Sequence, residues 1–155
     1  MSRNYELDDT DRKILALLLE DAKMPYTEIA RKVHVSGGTV HVRMARMEEL
    51  GIVQGATLRV DYQKLGYGMT AFLGIYLLKS SLYNSVAEQL QKIPEVVSIY
   101  YTTGNYGMFT RIVCRDTQHL RDVLHDQVQH IEGIERTETL ISLEETLNRP
   151  VQLRS

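Results

Sequence analysis

Apolar positions in the first third of the chain repeat at helical spacing. Ile14, Leu15, Leu18 and Leu19 share one face of a helix over Leu7–Glu20. Asp8 or Asp9 can cap it, and acids suit its first turn. Pro25 breaks the pattern. A short second helix follows over Tyr26–Val33, with Thr27 as cap and Ile29, Ala30 and Val33 inward. His34–Gly38 is a tight turn. Thr39–Leu50 is a third helix, capped by Ser36 and closed by Gly51, with Val40, Met44 and Met47 as its buried stripe. Val53–Val60 reads as a strand or small hairpin, a wing. Little periodicity survives around Gly66 and Gly68, so a linker is placed at residues 63–69 between a domain at 1–62 and another at 70–155.

Beyond the linker the pattern alternates between strand and helix. Strands are expected at Thr70–Lys79, Val96–Thr103, Met108–Cys114 and Thr137–Leu143, and helices at Leu82–Ile93 and Thr117–Ile131. This βαββαβ order defines a ferredoxin-like unit. The expected fold class is α+β: an N-terminal winged helix-turn-helix and a C-terminal ferredoxin-like domain. The polar tail from Asn148 to Ser155 is expected to fray.

Charge changes the picture more than composition does. The net charge is −2, with 18 Lys and Arg against 20 Asp and Glu. Yet from Arg31 to Arg46 there are Arg31, Lys32, Arg43, Arg46, two histidines and no acid. A local basic patch can hold DNA on a mildly acidic protein. In a helix-turn-helix the second helix of the pair enters the major groove with its N-terminal residues at base edges. Gly37 and Gly38 let backbone N–H groups approach a phosphate. Ser36 caps that terminus, Thr39 and His41 can hydrogen-bond bases, and Val42 can meet a thymine methyl. Arg43 and Arg46 suit phosphate or guanine, although Arg43 could instead pair with Glu48 or Glu49. Arg31 and Lys32 are assigned to the DNA backbone.

No apolar run is long enough to span a bilayer, and the polar N-terminus lacks a signal core, so a cytoplasmic location is expected. The single cysteine, Cys114, lies in an apolar stretch and reads as a buried small hydrophobe. Ferredoxin-like domains can host catalysis, but no catalytic triad, phosphate loop or paired-acid motif stands out. His119 and His130 could share a helix face, too far apart to chelate one metal, while His125 points elsewhere. Neither an enzyme nor a metal or cofactor protein is expected. A second competing reading is an assembly module whose helix-turn-helix contacts protein, against which the acid-free basic stretch argues.

With these elements in place, the chain resembles the Lrp/AsnC (feast/famine) family of regulators. The resemblance rests on Leu7–Leu15 (LDDTDRKIL), Glu28-Ile29-Ala30, Val35-Ser36, Gly38–Arg43, Gly51–Gly55 and Thr137–Ile141. Gly38–Arg43 and Tyr100–Tyr106 are most similar to its asparagine-responsive branch. The resemblance implies homodimers that assemble further, commonly to octamers, and roughly palindromic DNA sites. It implies a small amino-acid effector, asparagine suspected, bound between dimers. The implied effector loop is Tyr101, Thr102, Thr103, Gly104, Asn105, Tyr106 and Gly107, with Gln129, Gly133 and Thr137 as the facing wall. Glycine N–H groups suit a carboxylate, hydroxyls and carbonyls suit an ammonium, and the Gln129 amide can donate and accept. Where many family members carry an acid, this chain has Gly107.

Overall fold

The computed structural model describes residues 6–153. The chain divides into two compact units. Among the described residues, one holds 6–59 together with 147–153, and the other spans 60–146. The tail, which the sequence reading attaches to the second domain, thus groups with the first unit. It follows the last strand without helix or ladder pairing, so no sheet bond ties it to the second domain.

The first unit has three helices: α1 (Asp9–Glu20), α2 (Tyr26–Val33) and α3 (Gly37–Glu49). Asp8 is the N-cap of α1 and forms a reciprocal capping box with Asp11. Pro25, not Thr27, stands at the N-cap of α2; its extended backbone (φ −61°, ψ 141°) leads into the helix without a side-chain cap. His34 ends α2 in the left-handed region, with φ 59°. Ile14, Ile29, Val40 and Met47 are fully buried at the centre of the unit. Burial of each such side chain contributes roughly 1.5–3 kcal/mol. Leu17 joins the packing, whereas Leu19 is exposed.

The expected wing does not form. Residues 53–60 carry no strand, and Leu58 is 80% exposed. A strand needs a ladder partner, and none is offered to this segment among the described residues. Gly55, at φ 130°, also interrupts the run.

The second unit contains β1 (Met69–Leu77), α4 (Tyr83–Leu90), β2 (Val96–Tyr101), β3 (Met108–Cys114), α5 (Thr117–Asp126) and β4 (Ile134–Ile141). The sheet order is β2-β3-β1-β4, and every neighbouring pair is antiparallel. The expected long second helix stops at Asp126, and a 3-10 turn over Val128–His130 replaces its last part. Gly133, at φ 103°, precedes β4. Its missing Cβ also matters for packing, since one would lie 2.9 Å from Val86 Cγ2.

One face of the sheet is the core. Ala71, Leu73, Ile75, Met108, Ile112 and Cys114 meet Val86, Leu90, Leu120 and Val123 of the two helices. Burial pushes the Cys114 thiol up to about 11, so it stays protonated at neutral pH and behaves as a small apolar side chain. The His119 side chain is 13% exposed, and its Nε2 lies 2.9 Å from Glu95 Oε1. That contact turns its ring toward the residue preceding β2.

Among the described residues of this unit, both helices pack on the core face, and the opposite face has none of them. The register places Phe72 beside Leu140 and Arg111, Gly74 beside Glu138 and Phe109, and Tyr76 beside Arg136. Phe72 and Phe109 stack at 5.8 Å. Tyr100 and Leu140 are 61% and 48% exposed. A contiguous aromatic and aliphatic sheet face open to water is the signature of an interaction surface.

Candidate nucleic-acid interface and ligand site

The local chemistry of the helix-turn-helix begins at Ser36. Its Oγ accepts from Thr39 N at 3.1 Å and lies 2.8 Å from Thr39 Oγ1. The expected cap is therefore present, and the Thr39 hydroxyl is engaged with it. The helix starts at Gly37, so both glycines lie in its first turn, where backbone N–H groups have no intrahelical acceptor.

The turn brings Ser36, Gly38, Thr39, Val42, Arg43 and Arg46 together, with Asp8, around an open groove of about 690 Å³. Val42 is 70% exposed, an apolar side chain with no core role. His41 is displaced from that set, because its ring packs edge-on against Tyr26 at 4.6 Å. Arg31 and Lys32 occupy the last turn of α2, where Lys32 pairs with Glu28 at 3.4 Å.

Arg43 pairs with neither Glu48 nor Glu49. Its Nη1 donates to Asp8 Oδ2 at 2.7 Å and to Asp11 Oδ1 at 2.8 Å. The bond from the Asp11 backbone and the Arg43 guanidinium hold the Asp8 carboxyl below the usual carboxylate range. The Asp11 and Asp8 carboxylates in turn raise the Arg43 pKa. In the sequence Asp8 is one of two cap candidates and Asp11 is not singled out, and nothing there ties either to a side chain more than thirty positions away.

In the second unit, residues 102–107 join β2 to β3. Thr102 closes this loop, with Oγ1 donating to Tyr106 O at 2.8 Å and N donating to Gly107 O at 3.2 Å. Gly104 has φ 98°, a conformation that suits glycine. Thr103, Gly104 and Asn105 are exposed at the tip, and the Tyr101 ring packs on Tyr83 at 4.5 Å. Gly107 N donates to Ile75 O. A Cβ at Gly107 would lie 3.1 Å from the Leu77 side chain, so an acid there would require that side chain to give way slightly.

Tyr106 divides its roles. Its backbone belongs to the loop, while its ring lies over Gly74 on the open sheet face and its hydroxyl donates to Glu138 Oε2 at 2.7 Å. Tyr76 donates to the other carboxylate oxygen at 3.0 Å, and Arg136 stacks on the Tyr76 ring at 3.7 Å. The two phenol bonds lower the Glu138 pKa, and the bond to Glu138 raises that of Tyr106.

Of the facing-wall residues, Gly133 and Thr137 lie at the same end of the sheet. Leu78 N donates to Gly133 O, Thr137 pairs with Ile75, and Gln129 is exposed in the 3-10 turn. Strand β1 stands between the two groups, with Gly107 on its β3 side and Thr137 on its β4 side. Within one chain they therefore flank a strand instead of facing each other.

A basic-edged helix-turn-helix on one unit and a loop-bearing ferredoxin-like sheet on the other define a DNA-binding transcriptional regulator with a separate ligand-binding domain. Residues 7–48 match the AsnC-type helix-turn-helix domain, and residues 70–152 match the Lrp/AsnC ligand binding domain. The chain belongs to the Lrp/AsnC family. It is 40% identical to the regulatory protein AsnC of Haemophilus influenzae over 96% of this chain and 99% of that protein. The structure of E. coli AsnC superposes with a TM-score of 0.90 at 38% identity, covering 96% of this chain and 99% of that one. A feast or famine regulatory protein of M. tuberculosis, solved in complex with L-methionine, superposes with a TM-score of 0.89 at 26% identity. That match covers 96% of this chain and the whole of the other.

Proposed function

We propose that α3 reads the major groove of a roughly palindromic operator, and that a small amino acid, asparagine, bound at the ligand domain adjusts that reading. The groove lined by Ser36, Gly38, Thr39, Val42 and Arg46 carries the first part of this reading. It combines hydrogen-bonding groups, an apolar contact and a cation at the start of one helix, as base readout requires. Arg31, Lys32 and the N–H groups of Gly37 and Gly38 serve phosphates, and His41 reaches bases from its place on Tyr26.

The open face of the sheet supports a homodimer, since a second copy would cover Phe72, Phe109, Tyr100 and Leu140. Two-fold symmetry of the reader then requires two-fold symmetry of the site. Association of dimers, up to an octamer, would bring the 102–107 loop of one chain against Gln129, Gly133 and Thr137 of another. The position of these groups on opposite flanks of β1 favours that arrangement. The Gln129 amide suits the side-chain amide of asparagine. A cytoplasmic location accords with this role; among the described residues no helix is long and apolar enough to cross a membrane.

The test is a titration of a duplex from the region upstream of the protein's own coding sequence. It is made at fixed salt against excess random duplex, with and without asparagine and a panel of other amino acids. Competitor-resistant binding that shifts with asparagine is the expected result. A shift with another amino acid would replace the ligand, and binding no tighter than to random duplex would reject that operator.

A further inference from the structure

The acid-free stretch that makes Arg43 a candidate DNA contact is not acid-free in space. Arg43 reaches back from the middle of α3 to the capping box of α1, and each carboxylate there serves both the box and the guanidinium. Asp8 uses Oδ1 for the Asp11 N–H and Oδ2 for the guanidinium. Asp11 uses Oδ2 for the Asp8 N–H and Oδ1 for the guanidinium. Asp11 is fully buried. The guanidinium cannot leave for a phosphate without removing a countercharge from that buried carboxylate, which is strongly unfavourable. Asp8 also lines the groove that would meet the DNA, so the guanidinium's charge is partly offset there.

We propose that Arg43 is a positioning residue: with Asp8 and Asp11 it sets α3 against the start of α1 and presents Ser36, Thr39, Val42 and Arg46 to DNA, without itself binding phosphate. The two roles differ in sign. If Arg43 touched DNA, neutralising an aspartate would release positive charge toward the duplex and tighten binding. If it positions α3, the same change loosens the helix and weakens binding although the surface has become more positive.

The experiment measures full-length protein binding to a fluorescent random-sequence duplex across a salt series. Asp11→Asn and Asp8→Asn are each expected to lower affinity on the order of tenfold, the equivalent of one charge-assisted hydrogen bond. The loss should be similar at every salt concentration. Arg43→Ala should lower affinity with the wild-type slope of log affinity against log salt. Arg46→Ala, as the comparison, should reduce that slope by about 0.9, the value for one phosphate contact. Urea unfolding establishes that each variant is folded; Asp8→Asn keeps its capping acceptor and is half exposed, so it remains informative if Asp11→Asn is not folded. Aspartate variants that bind as tightly as wild type or tighter would overturn the proposal. So would a slope reduced by about 0.9 in Arg43→Ala.

Discussion

Gly74 offers a direct measurement of how the Tyr106 ring is held on the sheet. A Cβ at this position would lie 2.4, 2.5 and 2.7 Å from three atoms of that ring, well inside van der Waals contact. In Gly74→Ala the ring must therefore move. It would lose part of its packing on Phe109 and Tyr76, whose centroids lie 5.9 and 5.2 Å away, and its hydroxyl would be drawn off Glu138. Overpacking of this kind typically destabilises by roughly 1–3 kcal/mol. Opposing it, alanine restricts the unfolded chain and favours a strand over glycine by about 0.4–1 kcal/mol. The net expectation is a loss of roughly 1–2 kcal/mol, or several degrees in melting temperature for a domain of this size. The assay is guanidinium unfolding of the full chain at fixed protein concentration, followed by tyrosine near-UV circular dichroism, for Gly74→Ala in wild-type and in Tyr106→Ala backgrounds. With the ring gone, the opposing alanine term should stand alone, and Gly74→Ala should become neutral or slightly stabilising. An equal loss in both backgrounds would refute the reasoning, because the two positions would then be uncoupled.

Other substitutions probe the remaining features. His34 sits at φ 59° between α2 and α3, where an L-residue carries a penalty of about 1–2 kcal/mol. His34→Gly should accordingly stabilise the helix-turn-helix by a few tenths to about 1 kcal/mol in denaturant unfolding. The lowered Asp8 pKa has a defined sign: its stabilisation is present above the unfolded value near 4 and is lost as pH falls through the lower folded value. Melting temperature should therefore drop below about pH 4, with a smaller drop in Asp8→Asn, as an acid titration of thermal unfolding would read. Gln129→Ala should abolish the amino-acid response while leaving effector-free DNA binding intact; a surviving response in the duplex titration would place the ligand elsewhere.

The local pattern in the chain was enough to locate five helices, the four strands of the sheet and their order. Each helix stripe and each apolar strand names its own buried face through a 3.6- or 2-residue period, and Ser36 and Gly51 mark the ends of α3 by rules that act over a few residues. Those rules weaken where two local solutions compete. Pro25 displaced Thr27 as the start of α2, and the apolar run to Ile131 concealed the change to a 3-10 turn after Asp126. The 53–60 segment has the composition of a strand, but a strand is completed by a partner, and composition does not supply one.

Side-chain destinations across the fold were decided by tertiary structure alone. The Arg43 guanidinium ends between Asp8 and Asp11, the Tyr106 ring ends on Gly74, and the Tyr106 hydroxyl ends on Glu138. In each case the partners lie more than thirty residues apart, beyond the reach of any helical or strand period. Sequence dictates which elements form, because their hydrogen bonds and apolar stripes are local. It does not dictate which charges meet, because that depends on how the elements pack once their apolar faces are buried.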